Sequence, residues 1–187
     1  VTTTQRIVSK LVLGGSFGVG KTSIRRSYFG ETFVSDHLST LGADFAVKRV
    51  DIKDDIVLEL QIWDLAGQPG FENLRQRFFK GAAGAFMVFD LTRRDTFEAL
   101  DSWFEQLWRS QKSKRMPIAI LGNKIDLDEQ VVSEEEVNEY IKRLREDHDL
   151  GETYLSYFTT SAKTGENIQT AFEEISHALY EDHEKSQ

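Results

Sequence analysis

Eight consecutive residues, Gly15-Ser16-Phe17-Gly18-Val19-Gly20-Lys21-Thr22, carry the densest chemistry in the chain. Glycines at this spacing, between an apolar β-rich run and a helical stretch, let the backbone curl around an anion. The amides of Gly18, Val19, Gly20, Lys21, Thr22 and Ser23 then face phosphate oxygens. The N-terminus of the following helix, expected to begin near Thr22, adds partial positive charge. Lys21 reaches the β- and γ-phosphates of a nucleotide, and the Thr22 hydroxyl is a hard oxygen ligand suited to Mg2+. A glycine-rich turn with an incidental lysine is the plain rival, and the strand before and helix after weigh against it.

A phosphate loop alone leaves ATP and GTP equally open. Asn123-Lys124-Ile125-Asp126 separates them. The Asp126 carboxylate accepts from both N1–H and the 2-amino group of guanine, whereas adenine offers neither donor and leaves the carboxylate unpaired. Asn123 suits the N7/O6 edge and the bracing of loops, and the stem of Lys124 covers one face of the ring. Ser161-Ala162-Lys163 follows another strand and brings the Ala162 amide near guanine O6. Each string alone is weak. Both follow strand ends, where nucleotide sites form in open α/β sheets.

A third group suits the γ-phosphate end. Asp64 closes a strand and is placed to hold Mg2+ through water. Gly67 offers an amide to the γ-phosphate, and Gln68 carries a donor and an acceptor that align an attacking water. Thr40, in a polar loop, closes over Mg2+ and the γ-phosphate. Taken by itself, Thr40 reads as a solvated loop hydroxyl.

These groups need a sheet to position them. Strands are expected at Ile7 to Leu13, Phe45 to Ile52, Val57 to Trp63, Ala83 to Asp90, Ile118 to Gly122 and Tyr154 to Thr159, with amphipathic stretches between most of them. Asp54-Asp55 reads as a hairpin turn, so one pairing is antiparallel. Helix starts are expected at Asp95 with Glu98 and at Ser133 with Glu136, as capping boxes. Ile168, Phe172, Ile175 and Leu179 form the apolar stripe of the last helix. The fold class is α/β: a three-layer P-loop NTPase fold with a mostly parallel six-stranded sheet, one antiparallel pairing and helices on both faces. A single domain over residues 1–187, with its core at about 7–180, follows from 187 residues, 40% of them hydrophobic, with 2 prolines.

Composition narrows the partners. With 23 basic residues against 31 acidic ones, the net charge is −8, which removes any general attraction to nucleic acid. No run approaches a membrane span. The chain as given holds 0 cysteines, which excludes disulfides, thiolate metal sites and a lipidated cysteine.

The segments GSFGVGKT, STLGADF, LQIWDLAGQ, FFKGA, MVFDLT, GNKIDL and TSAK stand in the order and spacing of a small GTPase of the Ras superfamily, and the chain most resembles its Rab branch, from about Ile7 to Tyr180. The resemblance implies a switch that binds GTP and GDP with Mg2+, hydrolyses GTP slowly and acts in membrane trafficking. It implies that Phe33 stacks on guanine and that Phe45, Trp63 and Phe78 form a triad read by effectors, with core packing as the rival role for the triad. Exchange factors and GTPase-activating proteins are the other partners it implies. A monomer is expected, cytoplasmic or held at a membrane through partners or a tail beyond the residues given. A P-loop ATPase or phosphotransferase is the weaker reading, and a nucleotide-gated interaction module with negligible turnover is another.

Four positions depart from the family's pattern. Phe17 stands where a small residue is usual and is expected to crowd Gln68 and an incoming arginine, or else to fold outward. Pro69-Gly70 replaces a charged pair after the glutamine, and Leu65 replaces threonine.

Overall fold

The computed structural model describes residues 4–34, 40–111 and 115–187. Its strands are β1 (Gln5–Gly14), β2 (Ala43–Lys53), β3 (Ile56–Leu65), β4 (Gly84–Asp90), β5 (Ile118–Asn123) and β6 (Leu155–Thr160). They form one sheet in the order β2-β3-β1-β4-β5-β6. Only β2 with β3 is antiparallel, closed by a turn at Asp54-Asp55 as expected, with Lys53 paired to Ile56.

Side chains alternate across the sheet with the strand period of two. In β1, Leu11 and Leu13 enter one core and Val12 the other; in β4, Phe86 and Val88 oppose Ala85, Met87 and Phe89. Helices α1 (Lys21–Tyr28) and α6 (Ile168–Lys185) cover the first face through Ile24, Tyr28, Phe172, Ile175 and Leu179. Tyr28 and Phe172 stack at 3.7 Å between ring centroids and 4° between planes, which locks the end of α1 to α6. On the other face lie α2 (Glu72–Phe79), α3 (Arg94–Glu98), α4 (Leu100–Ser110) and α5 (Glu134–Asp147). Phe79, Trp103, Phe104, Leu107, Val137 and Tyr140 fill that second core.

The Ser133 capping box forms on both sides: the Ser133 hydroxyl accepts from the Glu136 amide at 3.3 Å, and Glu136 accepts from the Ser133 amide at 2.9 Å. The Asp95–Glu98 box does not form. The cap position is Arg93, extended and without a side-chain bond, and the helical run breaks at Ala99 into α3 and α4. Thr96 takes over the tie. Its buried hydroxyl donates to the Arg93 carbonyl at 2.7 Å and accepts from the Asp90 amide at 3.0 Å, pinning the first turn directly to the end of β4.

The strand order turns back at β1, whose neighbours are β3 on one side and β4 on the other. The crevice beyond its C-terminal end is where open α/β sheets bind ligands.

Candidate functional site

The glycine-rich loop occupies that crevice. Gly20, at φ 102°, is left-handed and hands the loop over to α1. A side chain there would also collide with Asn123, whose Nδ2 would lie 2.3 Å from a Cβ. The loop, α1 and the segments carrying Thr40 and Gly67 line an open cleft. Its walls include Phe17, Gly18, Lys21, Thr22, Thr40 and Gly67.

Lys21 lies across the loop and donates to the carbonyls of Gly15 at 2.7 Å and Ser16 at 2.9 Å. An ammonium has three donors, so one remains for a phosphate oxygen. Burial pushes its pKa down to about 8, with Asp64 opposing and the cations Arg75 and Arg93 adding to the push. A polyphosphate relieves that crowding of positive charge.

Thr22, Thr40 and Asp64 meet at one point. The Thr22 hydroxyl is hydrogen-bonded to Asp64 Oδ2 and stands 3.0 Å from the Thr40 hydroxyl. Asp64 is fully buried, and its Oδ1 has no hydrogen-bond partner. Burial raises the Asp64 carboxyl above the usual carboxylate range, while Thr22 and Lys21 pull it back. One carboxylate with an orphaned oxygen and two hydroxyls is a donor set that fits a hard cation such as Mg2+, with positions left for phosphate and water. Among the described residues there is no cluster of three or more His, Cys, Asp or Glu side chains able to hold a metal.

The motifs expected to read the base converge on a single buried amide. Asn123 Nδ2 donates to the Val19 carbonyl at 2.8 Å, and its Oδ1 accepts from the Thr160 hydroxyl and the Ala162 amide, each at 3.2 Å. Of the two roles open to Asn123, bracing the loops is the one formed here. Ser161 donates to Asp126 Oδ1 at 2.6 Å and so aims the carboxylate. Lys124, at φ 69°, bonds Asp90 at 2.6 Å. Phe33 and Ala162 line a smaller recess beside the main cleft with Ser23 and Val34. Lys163 is exposed.

At the opposite end, Gly67 presses on the loop: a Cβ there would fall 2.5 Å from the Phe17 amide nitrogen. Only hydrogen fits. Gln68 follows, its carbonyl taking a bond from Arg75 at 3.1 Å. Phe17 is 46% exposed and lines the cleft, so it lies in the wall rather than folding wholly outward. Phe45, Trp63 and Phe78 form a continuous aromatic row with centroids 4.9 and 5.4 Å apart. Phe45 is 45% exposed, so packing and accessibility coexist in that row. Ser39, which opens the STLGADF segment, lies outside the described residues.

Two arginines were not foreseen. Arg93 donates to the Phe17 carbonyl at 2.8 Å and to Asp90 at 3.3 Å, and Lys124 shares that aspartate, so a polar chain runs from the Lys124 segment to the glycine-rich loop. Burial works against the Asp90 charge, but its bonds from Lys124 and Thr92 hold its carboxyl below the usual range. Arg75 is buried against Trp103, 4.3 Å from the ring centroid. The only sequence signal for either is a cation in a segment flanking a motif.

Comparison with known proteins agrees with this geometry. The family model described as Ras family matches residues 10–181. The chain is 37% identical over 171 residues to the Ras-related protein Rab-7b of Mus musculus, covering 90% of this chain and 81% of that protein. It is 36% identical over 173 residues to the Ypt/Rab-type GTPase YPT7 of Saccharomyces cerevisiae, covering 90% and 79%. Against the putative ras-related protein Rab-5B of Dictyostelium discoideum it is 39% identical over 178 residues, covering 93% and 76%.

Proposed function

Because the chain belongs to the Ras family of small GTPases, and to its Rab branch, we propose that the crevice beyond β1 is its nucleotide site and assign each residue there a role. The protein is a GTPase that switches between GTP-bound and GDP-bound states. Gly18, Val19, Gly20, Lys21, Thr22 and Ser23 cradle the phosphates. Asn123, Lys124, Asp126, Ser161, Ala162 and Lys163 hold the base, with Phe33 against its face. Thr22, Thr40 and Asp64 would hold Mg2+, which supplies charge neutralisation at the β- and γ-phosphates when bound.

In hydrolysis, Gln68 orients a water in line with the γ-phosphorus. The new oxygen–phosphorus bond forms as the bond to the β–γ bridging oxygen breaks, and GDP and inorganic phosphate leave. Lys21 and the amides of the loop and of Gly67 absorb the developing charge. Phe17 crowds the place where Gln68 must work, so turnover is slow and the GTP state long-lived. Loss of the γ-phosphate releases the segments carrying Thr40 and Gly67, and effectors read the change beside Phe45, Trp63 and Phe78. Exchange factors and GTPase-activating proteins act at the same segments. The switch serves membrane trafficking as a cytoplasmic monomer held peripherally at a membrane by partners or by a tail beyond the residues given; among the described residues no helix is long and apolar enough to cross one.

What supports this reading is the Asn123 bridge, which joins the phosphate loop at Val19 to the segment carrying Ala162. Identifying the co-purified nucleotide after denaturation, and competing GTP against ATP, tests it. Bound GDP or GTP with ATP failing to compete is the expected outcome; ATP competing equally overturns it. Normal guanine binding with no measurable turnover would instead favour the nucleotide-gated interaction module, for which Phe17 is the argument.

A further inference from the structure

Arg26 has no role in any of the motifs, yet it stands one turn beyond Thr22 and Ser23 on α1. Helical side chains lean toward the N-terminus, so its guanidinium reaches back over that turn. It borders both hollows at once: the cleft, with Lys21, Thr22 and Thr40, and the recess, with Ser23, Phe33 and Ala162. With phosphates in the first and base in the second, the junction between them is where ribose and α-phosphate lie.

The side chain is also underused. Arg26 Nε is shielded from solvent and has no hydrogen-bond partner. Among the described residues its ion-pair partner is Glu31, whose Oε2 is 3.7 Å away, too far for a hydrogen bond. The adjacent Arg25, by contrast, is paired with Asp44 at 2.8 Å. A shielded guanidinium N–H without an acceptor is unfavourable until an anion arrives, and a phosphate oxygen is the acceptor that suits it best.

We propose that Arg26 is a further nucleotide-binding residue, donating to the α-phosphate from the ribose side, with Glu31 as the carboxylate that competes for it. The proposal rests on the guanine-nucleotide reading above and extends it. Because the α-phosphate is common to both nucleotides, Arg26 strengthens the hold on GDP and GTP equally, in contrast to groups at the γ end.

The test measures release of fluorescently labelled GDP and of a labelled non-hydrolysable GTP analogue from the wild-type chain and from R26Q, R26K and E31Q, each confirmed folded by circular dichroism. R26Q is expected to speed release of both ligands by the same factor, about tenfold. R26K should recover part of that loss, and E31Q should slow release by freeing the guanidinium. Unchanged release from R26Q overturns the proposal, and so does an effect confined to the GTP analogue. Should R26Q fail to fold, E31Q decides alone: release unchanged or faster overturns the proposal. A wild-type chain that binds ADP as tightly as GDP overturns the guanine reading itself, a result separable from any effect of the Arg26 variants.

Discussion

On the proposed assignment, base selection comes down to one carboxylate, Asp126, which Ser161 holds at 2.6 Å. Asp126→Asn replaces one accepting oxygen by an NH2 group that would face guanine's own donors. Guanine affinity should fall by about 10⁴-fold and preference should move to xanthine, whose 2-oxo group accepts from the new amide. Competition between GDP and xanthosine diphosphate checks this, and undiminished GDP binding would refute the assignment. Phe17→Gly clears the wall beside Gly67, so single-turnover hydrolysis should rise by at least about tenfold; an unchanged rate would show that the ring does not obstruct Gln68. Lys21, Thr22, Asp64 and Asn123 were legible in the sequence because local spacing after a strand fixes where they go. Arg26, Arg75 and Arg93 were not, because their roles arise from approaches between segments that share no short-range pattern: Arg93 meets a carbonyl 76 residues away.

Six strands and the pairing of β2 with β3 were readable as elements from alternation and turn residues, and so was the cap of α5. The start of α3 was not. Asp95 and Glu98 have the spacing of a cap, but the tertiary tie from Thr96 to β4 decides where the turn sits. At α5 the cap carries a pH signature. Glu136 is held by Arg94 and by the Ser133 amide, which lowers its pKa from 4.5 to about 2. A depressed carboxyl stabilises the folded state fully above its unfolded value and ceases to do so as pH falls through its folded value. The melting temperature of E136Q should therefore lie below wild type at pH 7, the gap narrowing below about 4.5 and closing near 2. A gap that stays constant across that range would show that the carboxylate's charge contributes nothing.

For the molecule as a whole, the two cores hang on the sheet and meet the site through α1. Phe172 stacks on Tyr28 and meets Phe86 edge-on, so Phe172→Ala opens a cavity behind α1 and should remove about 3–5 kcal/mol, or roughly 10 °C of Tm. Calorimetry reads this directly; a shift of only a degree or two would mean that the site collapses around the loss. Stripping the nucleotide should lower Tm further, by about 4 kcal/mol of linkage at a thousandfold excess over Kd, and a Tm indifferent to added GDP would deny binding to the native state. The Asn123 amide adds a constraint of a different kind. It stands like a tripod, one foot on Val19, one on Thr160 and one on Ala162, and three feet tie the Ala162 end of the site to the glycine-rich loop. If the proposed assignment holds, a factor that prises up either end of such a pocket is expected to loosen the other with it.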